Sequence, residues 1–327
     1  LIAFITFVSF FPQLVAGPIE RASNFLPQFL NKREFSYNQA TDGMRQILWG
    51  LMKKIVISDN CSIYVDKVFA NYAFYPSITL ILGAVLFSIQ IYCDFSGYTD
   101  IAIGSSNLLG FKLKKNFDFP YFSRNIAEFW RKWHISLTSW FKDYVYIPLG
   151  GSRSNTTLTL RNVFIVFLIS GLWHGANYTF IFWGFFHCLL FLPLLAFKKN
   201  RMYISKVNSI NLQPQLKDLG SIFLTFSLVT IGWVFFRSKT IVIAFDFLKY
   251  IVINFNKNFN MFFPSKKLLI IIFIFFIVEW VQRNKNHGLE MNTNKVSILS
   301  RWSIYLLLVS LIYCFFSYQQ PFIYFQF

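Results

Sequence analysis

The sequence predicts an all-α, polytopic membrane protein. Of its 327 residues, 55% are hydrophobic and only 14% are charged, whereas soluble domains average about 25% charged residues. The mean hydropathy is +0.47. Apolar runs close to the length of a membrane-spanning helix, about 20 residues, recur along the chain. This composition excludes a soluble globular domain and a disordered chain.

The apolar runs set the predicted order of helices. Spans are predicted at 1–16, 78–93, 162–178, 179–197, 220–236, 268–282 and 303–317. Several are short, which indicates tilted or broken helices around an internal cavity, where protein or water satisfies irregular backbone. Residues 241–253 are either a further span or a re-entrant segment. The runs 162–178 and 179–197 abut, so one long kinked helix is an equal alternative. A single membrane domain over 1–327 is the simplest organisation.

The charge balance is strongly basic. There are 31 Lys and Arg against 14 Asp and Glu, a net charge of +17. The bases flank apolar runs, a placement that suits anionic lipid headgroups better than DNA or RNA. The four cysteines show no paired spacing, so neither a disulfide framework nor a zinc site is indicated. The expected partner is membrane lipid, and no nucleic acid is expected.

Residues 126–144 are predicted to form an amphipathic helix lying in the membrane plane. Its apolar residues recur at spacings of three and four, and its charged residues occupy the other side. The segment is too polar to span the membrane, and its tryptophans and bases suit the interface. His134 falls on the apolar face and is expected to point inward. On the pattern alone, a packing role and a functional role are equally open.

A second histidine, His174, lies in the run SGLWHGAN at 170–177. Ionisable groups at membrane depth are expensive, so a functional role is favoured over packing. Imidazole has an ordinary pKa near 6.5 and can take a proton from a hydroxyl at neutral pH. Gly171 and Gly175 form a small-xxx-small pair that would let a neighbouring helix approach closely.

Other polar residues near apolar runs remain ambiguous. Asp94 and Asp100 either form a polar seam that orients a histidine or a basic partner, or each begins a helix as its cap. His187 is interpreted as structural, and His287, in a polar loop, as solvated. A metal site formed by His134, His174 and His187 is not expected, because their spacings match no ligand pattern.

Five strings, in order, resemble the membrane-bound O-acyltransferase family, and most closely its bacterial alginate and peptidoglycan O-acetyltransferase branch. They are FFPQLVAGPIERASNFLPQF (10–29), DFSGYTDIAIGSSNLLGF (94–111), FPYFSRNIAEFWRKWHISLTSWFKDYVYIPLGGSR (119–153), SGLWHGANYTFIFWGFFH (170–187) and GWVFFRS (232–238). Strings of this length in this order are highly specific. They cover about 10 to 240.

The resemblance implies a helix bundle around a central funnel, with in-plane helices. It places His174 at the family's essential histidine and His134 at the upstream polar partner, so both are candidate catalytic residues. The matching strings also hold the candidate substrate-binding residues, which are Asp94, Ser96, Trp133, Trp173 and Asn177. Family members usually carry several more helices before the first string, so an N-terminally partial chain is expected. Arg21 and Arg153 are interpreted as snorkelling side chains.

The implied function is movement of an acetyl group from a cytoplasmic thioester donor across the membrane for O-acetylation of an extracytoplasmic polysaccharide of the alginate or peptidoglycan type. The donor, acetyl-CoA or another acyl thioester, is a substrate, and no bound cofactor or metal is expected. Similar proteins work with a separate extracytoplasmic acetyltransferase, here expected to be of the SGNH type. The implied location is the bacterial cytoplasmic (inner) membrane.

Two alternatives remain open. A related branch transfers D-alanine toward teichoic acid. A proton-coupled transporter is the alternative from a different class, because Asp94, Asp100 and His174 in apolar surroundings could also form a proton or solute path.

Overall fold

The computed structural model describes residues 1–153, 155–204, 216–255, 261–292, 295–316 and 320–323. These residues form helices and connecting turns, with no strand among them, which confirms the predicted all-α class. The helices are α1 (Ile2–Val8), α2 (Ala22–Leu30), α3 (Tyr37–Leu51), α4 (Asp59–Ala70), α5 (Ser77–Leu108), α6 (Ile126–Lys132), α7 (Ile135–Phe141), α8 (Thr156–Trp173), α9 (Tyr178–Ala196), α10 (Leu216–Arg237), α11 (Ile241–Ile253), α12 (Lys266–Gln282) and α13 (Ile298–Phe315). The π-helical segments Met52–Ser58 and Lys142–Tyr146 continue α3 and α7.

Five helices in the described part of the chain are long and apolar enough to cross a membrane. They are α5, α8, α9, the Asp218–Arg237 part of α10, and α13. The helices α11 and α12 match the predicted runs at 241–253 and 268–282 but have only 13 and 17 residues. The chain is a multi-pass membrane protein, as the composition predicts.

The predicted span at 1–16 is wrong. Helix α1 ends at Val8 after seven residues, and a 3-10 turn follows at Phe11–Gln13. Pro12 opens this turn, and proline removes a backbone donor and disfavours helix in the residue before it. Phe10 instead packs with Phe25 and Phe111 in a buried aromatic cluster.

The described residues fall into two compact units. The first unit takes its residues from Leu1–Asn60, Gln90–Asp118 and Lys267–Gln326, and the second from Cys61–Ile89 and Phe119–Lys266. In the first unit, α3 approaches the later part of α5 at two glycine pairs. A Cβ on Gly43 would lie 2.7 Å from the carbonyl oxygen of Gly104, and one on Gly50 would lie 2.6 Å from that of Gly97. The two helices can therefore approach this closely only because glycine has no side chain.

The close approach of α3 and α5 joins buried charges of opposite sign. Lys53 Nζ lies 2.6 Å from Asp100 Oδ2 and donates to Ser96 Oγ at 2.8 Å. Lys54 Nζ lies 2.6 Å from Asp94 Oδ1. Both lysines belong to the π-helical segment after α3, a local geometry that is frequent at special sites.

Asp94 and Asp100 therefore lie inside α5 and begin no helix, so the capping alternative is wrong. Their seam does hold a basic partner, which is lysine. Asp94 Oδ2 also accepts the backbone N–H of Ile323 at 2.6 Å. These contacts neutralise acids that would be costly in an apolar interior.

The prediction that His287 is solvated is also wrong. Its side chain is buried, with the residue 3% exposed, and its Nε2 lies 3.4 Å from Asp42 Oδ2. A Cβ on the next residue, Gly288, would collide with the indole of Trp49. The loop is buried because it packs against α3, a contact that local polarity does not reveal.

In the second unit, α8 and α9 form an antiparallel hairpin, and α10 packs against α9. Gly171 faces the backbone of Phe180, and Gly184 faces the backbone of Phe167. The close approach predicted at Gly171 is thus confirmed. The chain leaves helical geometry at 174–177, so the alternative of one kinked helix through this region is wrong.

Candidate active site

The first histidine lies at a break in the segment predicted as one amphipathic helix. Helix α6 begins at Ile126 and is capped by Asn125, whose Oδ1 accepts the backbone N–H of Glu128 at 2.8 Å. It ends at Lys132, and α7 begins at Ile135. The prediction of a continuous helix over 126–144 is therefore wrong. Its apolar periodicity is real, but it is carried by two short helices and the π-helical segment after them.

His134 occupies the break in a left-handed backbone conformation, with φ +43° and ψ +54°. This region is sparsely populated by residues other than glycine, although histidine is several-fold enriched there. Such conformations cost about 1–3 kcal/mol and cluster at functional sites. His134 is 4% exposed, so the predicted inward orientation is confirmed.

The second histidine, His174, lies at the start of the turn between α8 and α9. Its backbone N–H donates to the carbonyl of Gly171 at 3.1 Å, which closes the last turn of α8. Gly175 has φ +151° and lets the chain reverse. Asn177 then caps α9, with Oδ1 accepting from Thr179 N at 3.1 Å and Nδ2 donating to Lys239 O at 3.0 Å.

One tryptophan lies beside both imidazoles. The ring of Trp173 meets His134 edge to face at 6.1 Å between centroids, and it meets His174 in the same way at 5.0 Å. Trp173 is 46% exposed and His174 is half-buried, whereas His134 is buried. The structure therefore brings His134, Trp173 and His174 together, with the accessible side at Trp173 and His174.

Further aromatic rings lie around His174. Trp183 and Phe236 meet its ring edge to face at 5.2 and 5.1 Å, and Phe180 lies at 6.5 Å. The sequence reasoning did not select Trp183 or Phe236. Trp183 and Phe236 lie in the family-like strings at 170–187 and 232–238, so membership in those strings is the sequence signal that identifies them as candidates.

The protonation of His134 follows from its burial. Burial lowers the pKa of His134 to about 3, and the neighbouring His174 acts in the same direction. The imidazole of His134 is therefore neutral near pH 7. A neutral imidazole offers one N–H donor and one nitrogen acceptor, so it can orient a partner without bringing a charge.

Three other candidate substrate-binding residues, Trp133, Asp94 and Ser96, make contacts within the protein. Trp133 is buried, stacks on Phe129 at 5.5 Å and lies 4.9 Å from Trp233. Asp94 and Ser96 belong to the first unit and contact the buried lysines there. Substrate binding by these residues and by Asn177 stays a prediction, and Trp173 lies beside both histidines.

His187 has the environment expected of a structural histidine. It is fully buried, and the rings of Trp130 and Trp183 each meet it at 5.1 Å. A Cβ on Gly232 would lie 2.7 Å from its Nε2, so α10 approaches α9 closely at this point. The imidazole of His187 therefore packs in the contact between α9 and α10.

Comparison with known proteins gives one family. The sequence profile of MBOAT, the membrane-bound O-acyltransferase family, matches residues 1–202. The chain is 42% identical over 245 residues to a probable alginate O-acetylase of Pseudomonas syringae pv. tomato, covering 75% of this chain and 45% of that protein. It is 40% identical over 245 residues to a peptidoglycan O-acetyltransferase of Helicobacter pylori, covering 74% and 45%.

A more distant relative is named for a different activity. The chain is 30% identical over 250 residues to a teichoic acid D-alanyltransferase of Bacillus subtilis, covering 71% of this chain and 60% of that protein. The chain spans about half the length of the curated acetyltransferases it matches. The matched profile covers more than half of the chain, and it includes both histidines of the site. The chain belongs to the membrane-bound O-acyltransferase family.

Proposed function

We propose that the protein carrying this chain is a membrane O-acyltransferase that moves an acetyl group from a cytoplasmic thioester donor across the membrane for O-acetylation of an extracytoplasmic polysaccharide. The observation that carries the proposal is the pairing of an accessible histidine, His174, with a buried one, His134, beside a shared tryptophan in a chain of this family. Acetyl transfer is preferred because the relatives that share 40–42% identity carry acetylase names.

In the proposed step, His174 is the general base. An unprotonated ring nitrogen takes the proton of the acceptor hydroxyl as the hydroxyl oxygen attacks the carbonyl carbon of the acetyl thioester. The C–S bond then breaks, and the imidazolium returns the proton to the departing thiolate. General base catalysis of this kind contributes about 10²–10⁴-fold to a rate.

His134 has a positioning role in this proposal. Its ring is buried and constrained by a left-handed backbone, and it meets the same tryptophan that borders His174. A neutral imidazole in this place can hold the donor or the base in orientation. The expected loss on its removal is smaller than the loss on removal of the base.

The remaining parts of the proposal concern substrates and partners. The donor is acetyl-CoA or another acyl thioester, and the acceptor is a glycan of the alginate or peptidoglycan type. A separate extracytoplasmic SGNH-type acetyltransferase completes delivery, and the protein resides in the bacterial cytoplasmic membrane. The ion pairs of Asp94 and Asp100 account for these acids without a solute path, so transport is not favoured.

The test measures ester-linked acetate released by mild base from the cell-envelope polysaccharide of cells expressing the complete gene. We expect His174→Gln to abolish acetylation and His134→Gln to reduce it, each at normal abundance in the membrane. His287→Asn is the matched control, because it alters a buried histidine of the first unit. Normal acetylation in His174→Gln would exclude the proposed base.

D-Alanyl transfer is the second candidate, supported by the 30% identity to a teichoic acid D-alanyltransferase. The same envelope hydrolysate separates the two activities, since it releases either acetate or D-alanine. D-Alanine release that depends on His174, without acetate, would keep the base and replace the acetyl donor.

A further inference from the structure

The second unit contains a cavity that the proposed acetyl transfer does not use. Its volume is about 770 Å³, within the range of about 300–1,000 Å³ typical of ligand sites. One face of α8 forms a long wall, with Thr156, Thr159, Val163, Phe167 and Ser170 lining it. At 1.5 Å per residue, the wall from Thr156 to Ser170 is about 21 Å long.

The cavity has a cationic mouth. Lys142, Lys198 and Arg201 line it and are exposed, and the described lining residues include no Asp or Glu. Lys198 and Arg201 follow the end of α9. Because α8 and α9 are antiparallel, this end lies beside Thr156, where α8 begins.

The basic turn after α9 is held in place. Arg131 donates from Nη1 to the carbonyl of Asn200 at 2.7 Å and from Nη2 to that of Tyr203 at 3.2 Å. The guanidinium of Arg124 lies 3.9 Å from the centroid of the Tyr203 ring. Lys198 itself has φ +56°, a conformation that asparagine or glycine would adopt at lower cost. The mouth is therefore preorganised.

The inner part of the cavity is mainly apolar. Its lining includes Val163, Val166 and Phe167 of α8 and Phe191 and Leu195 of α9. A ligand with many amide groups would leave most of them without partners along these walls, at a cost of about 1–3 kcal/mol each. An alkyl chain loses no hydrogen bond there and gains from burial.

We propose that this cavity binds an anionic phospholipid, with its phosphate at Lys142, Lys198 and Arg201 and one acyl chain lying along α8 toward Ser170. Three cations without a lining carboxylate complement a headgroup of net negative charge. The wall along α8 is longer than one leaflet of the hydrocarbon core, about 15 Å, and its middle part from Val163 to Phe167 is apolar, so it suits a long chain. The site requires neither His174 nor a thioester, so lipid binding can be tested independently of acetyl transfer.

The test uses native mass spectrometry of the purified full-length protein, titrated in detergent with phosphatidylglycerol or with phosphatidylcholine. We expect selective retention of phosphatidylglycerol. The triple variant Lys142→Gln, Lys198→Gln, Arg201→Gln should weaken it about fivefold per cation, or about 100-fold in all. These side chains are exposed, so the variant preserves the core. Unchanged retention by the triple variant would overturn the proposal.

Two further variants complete the test. Lys239→Gln, Lys249→Gln, Lys266→Gln removes the same charge from exposed positions outside the cavity and should retain phosphatidylglycerol as the wild type does. Val163→Trp fills the apolar wall and should reduce retention although the cations remain. Displacement of phosphatidylglycerol by inorganic phosphate or by acetyl-CoA at equal concentration would assign the cations to a free phosphate or to the acetyl donor, and would overturn the lipid assignment.

Discussion

Gly50→Ala tests whether the close contact of α3 and α5 supports the buried charges of the first unit. A Cβ at position 50 would lie 2.6 Å from the carbonyl oxygen of Gly97, 2.8 Å from Ile101 Cγ1 and 3.1 Å from Ile101 N. Two of these contacts are with backbone, which cannot rotate away as a side chain can. The helices must therefore separate locally.

The size of the effect follows from these distances. The contact with Gly97 must lengthen by about 0.8 Å to reach an ordinary 3.4 Å. The same displacement would stretch the 2.6 Å contact of Lys53 with Asp100 beyond good hydrogen-bonding distance. Overpacking costs about 1–3 kcal/mol, and a hydrogen bond to a charged group contributes about 1.5–3 kcal/mol. We expect a loss of about 2–4 kcal/mol in the free energy of unfolding.

Thermal unfolding can be followed with a thiol-reactive fluorogenic dye, because Cys61, Cys93 and Cys188 are buried and become reactive on unfolding. Gly220→Ala is the matched control. It lies in α10, and a Cβ there would meet nothing within 4 Å, so alanine should stabilise the helix by up to about 1 kcal/mol. A folded Gly50→Ala protein that melts at or above the wild-type temperature would refute the reasoning.

Three further predictions concern buried ionisable groups. Lys53→Met leaves the Asp100 carboxylate without its lysine and should lower the free energy of unfolding by about 3–5 kcal/mol. The double variant Lys53→Met/Asp100→Leu should recover much of this loss. Equal losses of stability in the single and double variants, measured by the dye assay, would contradict the pairing. The pKa of His134 falls from 6.5 to about 3 on burial, so the unfolded state binds its proton first. Acidification from about pH 7.5 to about pH 5.5 should therefore destabilise the wild type by about 1 kcal/mol more than His134→Asn. Equal losses of stability in the two proteins, followed by tryptophan fluorescence during melting, would contradict the lowered pKa of His134. Burial is the largest single influence on the pKa of Glu128 and raises it, but the hydrogen bonds from Arg124 and the charge and hydrogen bond of Lys132 together outweigh burial, so the net pKa lies below 4.5. The wild-type advantage over Glu128→Gln should thus persist above pH 4.5 and shrink as the pH falls through the lowered pKa, and an advantage independent of pH would contradict the ion pair.

The sequence predicted the elements that depend on composition over a whole helix. The apolar runs at 162–178, 179–197, 220–236 and 303–317 each correspond to a membrane-spanning helix, displaced by a few residues at the ends. Length and hydropathy suffice for this because every backbone group in a lipid-facing span must be satisfied within the helix. The run 1–16 does not form a span, and it contains Pro12, a local helix-breaking signal that the high hydropathy of the run obscured.

The contacts that shape the site depend on partners far away in sequence. The break at His134 has no glycine or proline to announce it, and the apolar spacing continues through it. Lys53 and Lys54 are adjacent, and on a regular helix they would point about 100° apart. The π-helical segment lets both reach α5, and no periodicity in the sequence encodes that. Burial of His287 likewise depends on packing against α3.

Ionisable residues in apolar surroundings were the main functional signal in the sequence, and the structure separates them into two kinds. The acids Asp94 and Asp100 lie 2.6 Å from lysine ammonium groups, which accounts for their presence by charge balance. The histidines 134 and 174 lie against aromatic rings, and burial keeps the imidazole of His134 neutral near pH 7. Removal of either partner of a buried ion pair leaves an uncompensated charge and reduces stability. A neutral imidazole, in contrast, can gain and lose a proton during a reaction. Substitution of the paired acids should therefore reduce stability first, and substitution of His174 should remove activity from a protein that remains folded.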